Sequence, residues 1–74
     1  MTETRILERR EIRAVFRRHR GTAYRLAAEI GLSRTTVSQW LRGRITSRKV
    51  ADAAQARALE LLRAEEAAGK GAAA

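Results

Sequence analysis

Four stretches of the chain space their apolar residues at the three- to four-residue interval of an amphipathic helix, with glycines or polar runs between them. In the first, Ile12, Val15, Phe16 and His19 share one face, while Arg10, Arg13, Arg17 and Arg20 share the opposite one. This predicts a helix from a cap at Thr4 to about Arg20, stopped by Gly21. Ile6 and Leu7 fall off the stripe; they are either exposed or in touch with a partner subunit, and the pattern does not choose between these. The second stretch, Thr22 to about Glu29, turns Leu26, Ala27 and Ile30 inward. The third, Arg34 to about Arg42, turns Val37, Trp40 and Leu41 inward and is closed by Gly43. The fourth begins behind Ser47, a good N-cap, and runs to about Glu66 with Val50, Ala54, Ala58, Leu61 and Leu62 as its stripe and Leu59 at the flank. Residues 67–74, AAGKGAAA, are of low complexity and expected to be disordered. The fold expected is all-α, one domain over residues 1–66 built as a small bundle of about four helices.

The second and third stretches are linked by the sharpest local signal. Gly31 can take the left-handed conformation that ends a helix, Leu32 turns back inward, and Ser33 can cap the next helix. Ala27 is small where two crossing helices must approach closely. This is the pattern of a helix-turn-helix, whose second helix enters the major groove of double-stranded DNA. With Val37, Trp40 and Leu41 inward, the outward face is Arg34, Thr35, Ser38, Gln39 and Arg42, with no acid among them. Arg34, Thr35, Ser38 and Gln39 are residue types that reach base edges: arginine pairs with guanine, glutamine with adenine, hydroxyls with several bases. In the loop that follows, Arg44, Arg48 and Lys49 are spaced to track a phosphate strand, and Ile45 folds back on the core. Thr22 is both a plausible cap and a plausible phosphate contact at a helix N-terminus. The Tyr24 ring either packs inward or lets its hydroxyl reach a phosphate. Trp40 is read as a core aromatic and not a stacking platform, and His19 as packed and hydrogen-bonded. The arginine face of the first helix is read as solvated, contributing long-range steering while standing back from the groove.

Charge sharpens this picture. The chain has a net charge of +8, unevenly placed: residues 1–49 hold 13 Lys and Arg against 4 Asp and Glu, residues 50–74 hold 3 against 4. The basic half is the half with the outward polar face, which suits a phosphate backbone that releases counterions on binding. Compositional bias, visible in 14 Arg and 15 Ala, accounts for arginine in place of lysine but not for the missing acids. A membrane surface is a poorer partner because no basic stretch has a broad aromatic or leucine face behind it. No apolar run nears the ~20 residues of a membrane span, and MTETRILERR lacks a signal peptide's apolar core, so a soluble, cytoplasmic protein is expected. Seventy-four residues allow one small domain of modest stability. With no cysteine and one histidine, neither a disulfide, a metal site nor a cofactor is expected. Asp52 and scattered glutamates form no acid–base or nucleophile–base pair, so the chain does not read as an enzyme.

Residues 22–42 resemble the helix-turn-helix of the Cro/CI-type repressors, the lambda-repressor-like DNA-binding domains. The resemblance is carried by Ala27, Gly31, Leu32, Val37 and Trp40 at that family's spacing, followed by Gly43 and a basic loop, and helix order is similar over about residues 5–62. It implies that Arg34, Thr35 and Gln39 read bases and that Thr22, Arg42 and Arg44 hold phosphates. Two features depart from it. Leu41 stands where many relatives carry an acid paired with a first-helix arginine, and one long fourth helix replaces two shorter ones. The function expected is a sequence-specific regulator, a repressor occupying a promoter as a homodimer on two half-sites about one helical turn apart. The long fourth helix offers more apolar surface than so small a core needs, which places the subunit contact at Gln55, Leu59 and Leu62. Two other readings stay open: an antitoxin-like or adaptor module that binds a protein partner through the fourth helix, and an architectural or recombination accessory with little sequence preference.

Overall fold

The computed structural model describes residues 6–73, with side chains described as far as Ala68. Among these residues the chain forms four helices and no strand: α1 (Arg9–Arg18), α2 (Thr22–Ile30), α3 (Arg34–Leu41) and α4 (Arg48–Ala73). The expected Thr4 cap lies outside the described residues, and α1 starts only at Arg9, with Glu8 as its N-cap. The Glu8 N–H donates to the Glu11 carboxylate at 3.1 Å, one half of a capping box formed without a serine or threonine. The late start leaves residues 6–8 outside the helix, which separates two neighbours the pattern could not place. Ile6 is 87% exposed, whereas Leu7 is buried and its N–H donates to Gln55 Oε1 at 2.9 Å. At its other end α1 stops at Arg18, short of Arg20, and Gly21 serves as the N-cap of α2.

Both ends of α2 and α3 follow from local chemistry. Gly31 sits at φ +73°, and the Leu32 N–H donates to the Ala27 carbonyl at 3.0 Å, the six-to-one bond of a Schellman cap. Ser33 Oγ then accepts the Thr36 N–H at 3.1 Å and starts α3. Gly43 repeats the device at φ +79°, with the Arg44 N–H donating to the Gln39 carbonyl at 2.9 Å. Ser47 caps α4 by accepting the Val50 N–H at 3.3 Å. α4 runs through Ala73 and does not end near Glu66, so the tail expected to be disordered continues the helix as far as it is described. The alanines of this stretch favour the helix, while Gly69 and Gly71 oppose it by about 1 kcal/mol each without ending it.

The core is where the four stripes meet. Ile12, Val15 and Phe16 of α1, Leu26 and Ala27 of α2, and Val37 and Trp40 of α3 close over Val50, Ala54 and Ala58 of α4. Each large aliphatic side chain buried there contributes roughly 1.5–3 kcal/mol. Ala54 and Ala58 are fully buried; their size lets α4 lie close against the other helices. Ile45 and Leu41 pack at the core's margin. Polar ties fasten α4 at its sides. Arg18 holds Glu65 with two hydrogen bonds of 3.0 Å, His19 Nε2 reaches the same carboxylate at 2.6 Å, and Arg57 pairs with Glu29 of α2. His19 is thus packed and hydrogen-bonded as expected. The Arg9 guanidinium lies 4.7 Å from the Trp40 ring centroid, stacking the start of α1 onto the end of α3. No described helix is long and apolar enough to cross a membrane.

Candidate nucleic-acid interface

Burial of Val37 and Trp40 fixes the rotation of α3. Arg34, Thr35 and Arg42 are consequently exposed, and Ser38 and Gln39 are half-buried at the flank. Together with Arg44 from the following turn and Ala23 and Leu41 beneath, they line one open concavity of about 370 Å³. Six of the residues singled out from sequence, four as base readers and two as phosphate contacts, therefore share one surface. Its geometry depends on the second Schellman cap, which turns the chain at Gly43 and brings Arg44 back beside the helix.

The other candidates divide. Tyr24 is exposed, not packed inward, and its ring lies 5.9 Å from the Arg34 guanidinium, so α2 presents an aromatic hydroxyl beside the first residue of α3. Arg48 and Lys49 are exposed on the first turn of α4, outside the lining of the concavity; Arg48 also stands 3.8 Å from Asp52. Thr22 is a correction. It is buried, its hydroxyl donates to the His19 carbonyl at 2.6 Å, and its N–H goes to the same oxygen at 3.2 Å. The cap position belongs to Gly21, and the hydroxyl that was to meet a phosphate is turned into the α1–α2 joint. The subunit-contact candidates Gln55, Leu59 and Leu62 are half-buried within their own chain. Gln55 accepts the Leu7 N–H, and Leu59 and Leu62 pack partly against the core of their own chain. The large apolar side chains that stand exposed among the described residues are Ile6 and Tyr24, not leucines of α4.

The electrostatics follow from where the acids are used. Glu65 is held below the usual carboxylate range by its hydrogen bonds with Arg18 first and His19 second. Arg18 and Arg57 are correspondingly raised by their bonds to Glu65 and Glu29. Glu8 pairs with Arg10. These pairs lie on the flanks of α1 and α4. Among the described residues, no carboxylate pairs with Arg34, Arg42, Arg44 or Lys49.

A second concavity, about 250 Å³, adjoins the first between α1, α2 and α3. Phe16, Ala23 and Leu41 form its floor and Arg13, Arg17 and Arg42 its rim; Ala23, Ser38, Leu41 and Arg42 belong to both hollows. The helical wheel had placed Arg13 and Arg17 on a solvated face. Leu41 lines the same hollow as these arginines and brings no charge to it. No protein-family model, curated protein or solved structure matches the chain.

Proposed function

We propose that the chain is a sequence-specific double-stranded DNA-binding regulator in which α2, the Gly31 turn and α3 act as a helix-turn-helix. The observation that carries this reading is the surface around α3: Arg34, Thr35, Ser38 and Gln39 line one concavity with Arg42 and Arg44, unopposed by any carboxylate of the described residues. α3 is the recognition helix. Arg34 and Gln39 offer bidentate pairing to guanine and adenine, and Thr35 and Ser38 supply shorter hydroxyl contacts. Arg42, Arg44, Arg48, Lys49 and the Tyr24 hydroxyl hold the phosphates on either side, which sets the orientation of α3 but carries no sequence information. A rigid reader capped by Ser33 at its start and by the Gly43 turn at its end suits this task, because base contacts tolerate little wobble.

The mechanism is occupancy: a small basic domain bound at a promoter excludes other proteins from it, as a repressor in the bacterial or phage-infected cytoplasm. A homodimer doubles the contact and reads an inverted repeat with half-sites about one helical turn apart. The test is selection of bound duplexes from a random-sequence DNA pool at near-physiological salt. An enriched inverted repeat of fixed spacing is the expected result. An enriched single half-site would retain the reader and remove the dimer. No enrichment, with binding that vanishes as salt rises, would leave phosphate attraction alone and overturn sequence-specific regulation.

A further inference from the structure

Five arginines of α1 differ sharply in what they face. Arg9 stacks on Trp40, Arg10 pairs with Glu8, and Arg18 is held by Glu65. Arg13 and Arg17 have no such partner among the described residues, yet they stand one helical turn apart on the rim of the 250 Å³ hollow, joined there by Arg42 of the α3 end. Guanidinium groups gathered around a shared hollow repel one another. A bound anion reverses the sign of the term. Phe16, Ala23 and Leu41 beneath give the hollow an apolar floor, which lowers the local dielectric and strengthens a guanidinium–phosphate contact.

We propose that α1 is part of the DNA interface: Arg13 and Arg17, with Arg42, grip the backbone of the duplex whose bases α3 reads, a deoxyribose resting on Leu41 and Ala23. This rests on the reading of α3 as the recognition helix and reverses the expectation that the first helix stands back. The duplex is the occupant the geometry favours because the hollow is continuous with the reading surface through Ser38, Leu41 and Arg42. It is also open and smaller than the ~300–1,000 Å³ of most small-molecule sites. Leu41 makes the arrangement possible, since an acid at that position would neutralise the arginines from within the chain.

The experiment is fluorescence anisotropy of a labelled, mixed-sequence duplex of about 20 base pairs, titrated at salt concentrations from about 50 to about 200 mM. Each phosphate contact contributes about 0.9 to the slope of log affinity against log salt, so a fourfold rise in salt costs about 3.5-fold per contact. The doubly substituted Arg13→Ala, Arg17→Ala protein is expected to show a slope shallower by about 0.9–1.8 and a salt-induced loss smaller by about 3.5- to 12-fold. Its preferred bases in a random-pool selection should not change. Both side chains are exposed, so the melting temperature serves as the check on folding. Leu41→Glu should give a shallower slope than its uncharged isostere Leu41→Gln, by pairing with the arginines, and equal slopes in the two variants would count against that pairing. A double variant with the wild-type slope overturns the role of α1 and leaves α3 as the reader. Failure of the wild-type protein to bind the duplex at low salt overturns both.

Discussion

Gly31→Ala isolates the backbone cost of the turn between α2 and α3. The glycine sits at φ +73°, and a Cβ added there meets nothing within 4 Å. Side-chain crowding therefore adds nothing, and the left-handed conformation alone costs about 1–2 kcal/mol. In a domain of this size each kcal/mol lowers the melting temperature by about 4–8 °C, so a fall of about 4–16 °C is expected. Gly31→Asn should lose less, because asparagine visits the left-handed region more readily. Gly43→Ala is the informative companion. Its φ is +79°, but the added Cβ would lie 3.1 Å from the tip of the Arg9 guanidinium. That tip is flexible and gives way, at the expense of its stacking on Trp40, worth about 0.5–1 kcal/mol. Gly43→Ala should therefore melt below Gly31→Ala, and the gap should close when Arg9 is alanine as well. Thermal unfolding followed by far-ultraviolet circular dichroism, with reversibility checked, measures all of these. A Gly31→Ala protein that melts with the wild type would refute the left-handed cap. Equal losses at the two glycines would refute the contact between Arg9, Gly43 and Trp40.

Three further outcomes are expected. Ser33→Ala should cost about 1 kcal/mol in urea unfolding, because the Thr36 N–H loses its acceptor at the start of α3. Arg34→Ala or Gln39→Ala should each cost about 1–3 kcal/mol of DNA binding and relax preference at one base position, whereas Arg44→Ala should weaken all sequences alike; quantitative selection separates the two patterns. Glu65 has a folded-state pKa below its unfolded value, so its contribution to stability is present above the usual carboxylate range and lost as pH falls through the lowered value. The difference in melting temperature between wild type and Glu65→Gln should accordingly shrink as pH falls from about 7 to about 2, and a constant difference would remove the Arg18–Glu65–His19 tie as its origin.

Much of this fold was legible because its signals are local. Gly21, Gly31 and Gly43 punctuate, Ser33 and Ser47 cap, and the three- to four-residue spacing puts Val37, Trp40, Val50, Ala54 and Ala58 inside. The outward face of α3 follows from the same spacing, so its candidate residues arrive on one surface. What the sequence did not show depends on contacts between distant residues. Leu7 is buried in the core cluster and its N–H donates to Gln55, 48 positions away, and no periodicity of its own segment announces that. The α1 start was missed because a glutamate holds the cap position where serine or threonine was sought. Thr22 was misplaced by reading a side chain at a helix start as outward, when the sharp α1–α2 turn brings the His19 carbonyl within its reach.

The acids explain why a half-chain charge imbalance becomes a surface. Counting residues locates an excess of arginine in the first 49 positions but cannot say which arginines remain uncompensated. In three dimensions α4 brings Glu65 back to Arg18 and His19, and offers Arg57 to Glu29 of α2. These three pairs join residues remote in sequence, and none of them includes a residue of α3. Placement of acids, more than placement of arginines, leaves Arg13, Arg17, Arg34, Arg42 and Arg44 without a carboxylate partner among the described residues around two adjoining hollows. The long fourth helix is thus an electrostatic element as well as a structural one: by drawing the acids to the flanks it leaves a continuous basic surface at α3. Its alanine stripe fits this role, since the fully buried Ala54 and Ala58 let it pack against the other helices while Arg57 and Glu65 form pairs at its sides.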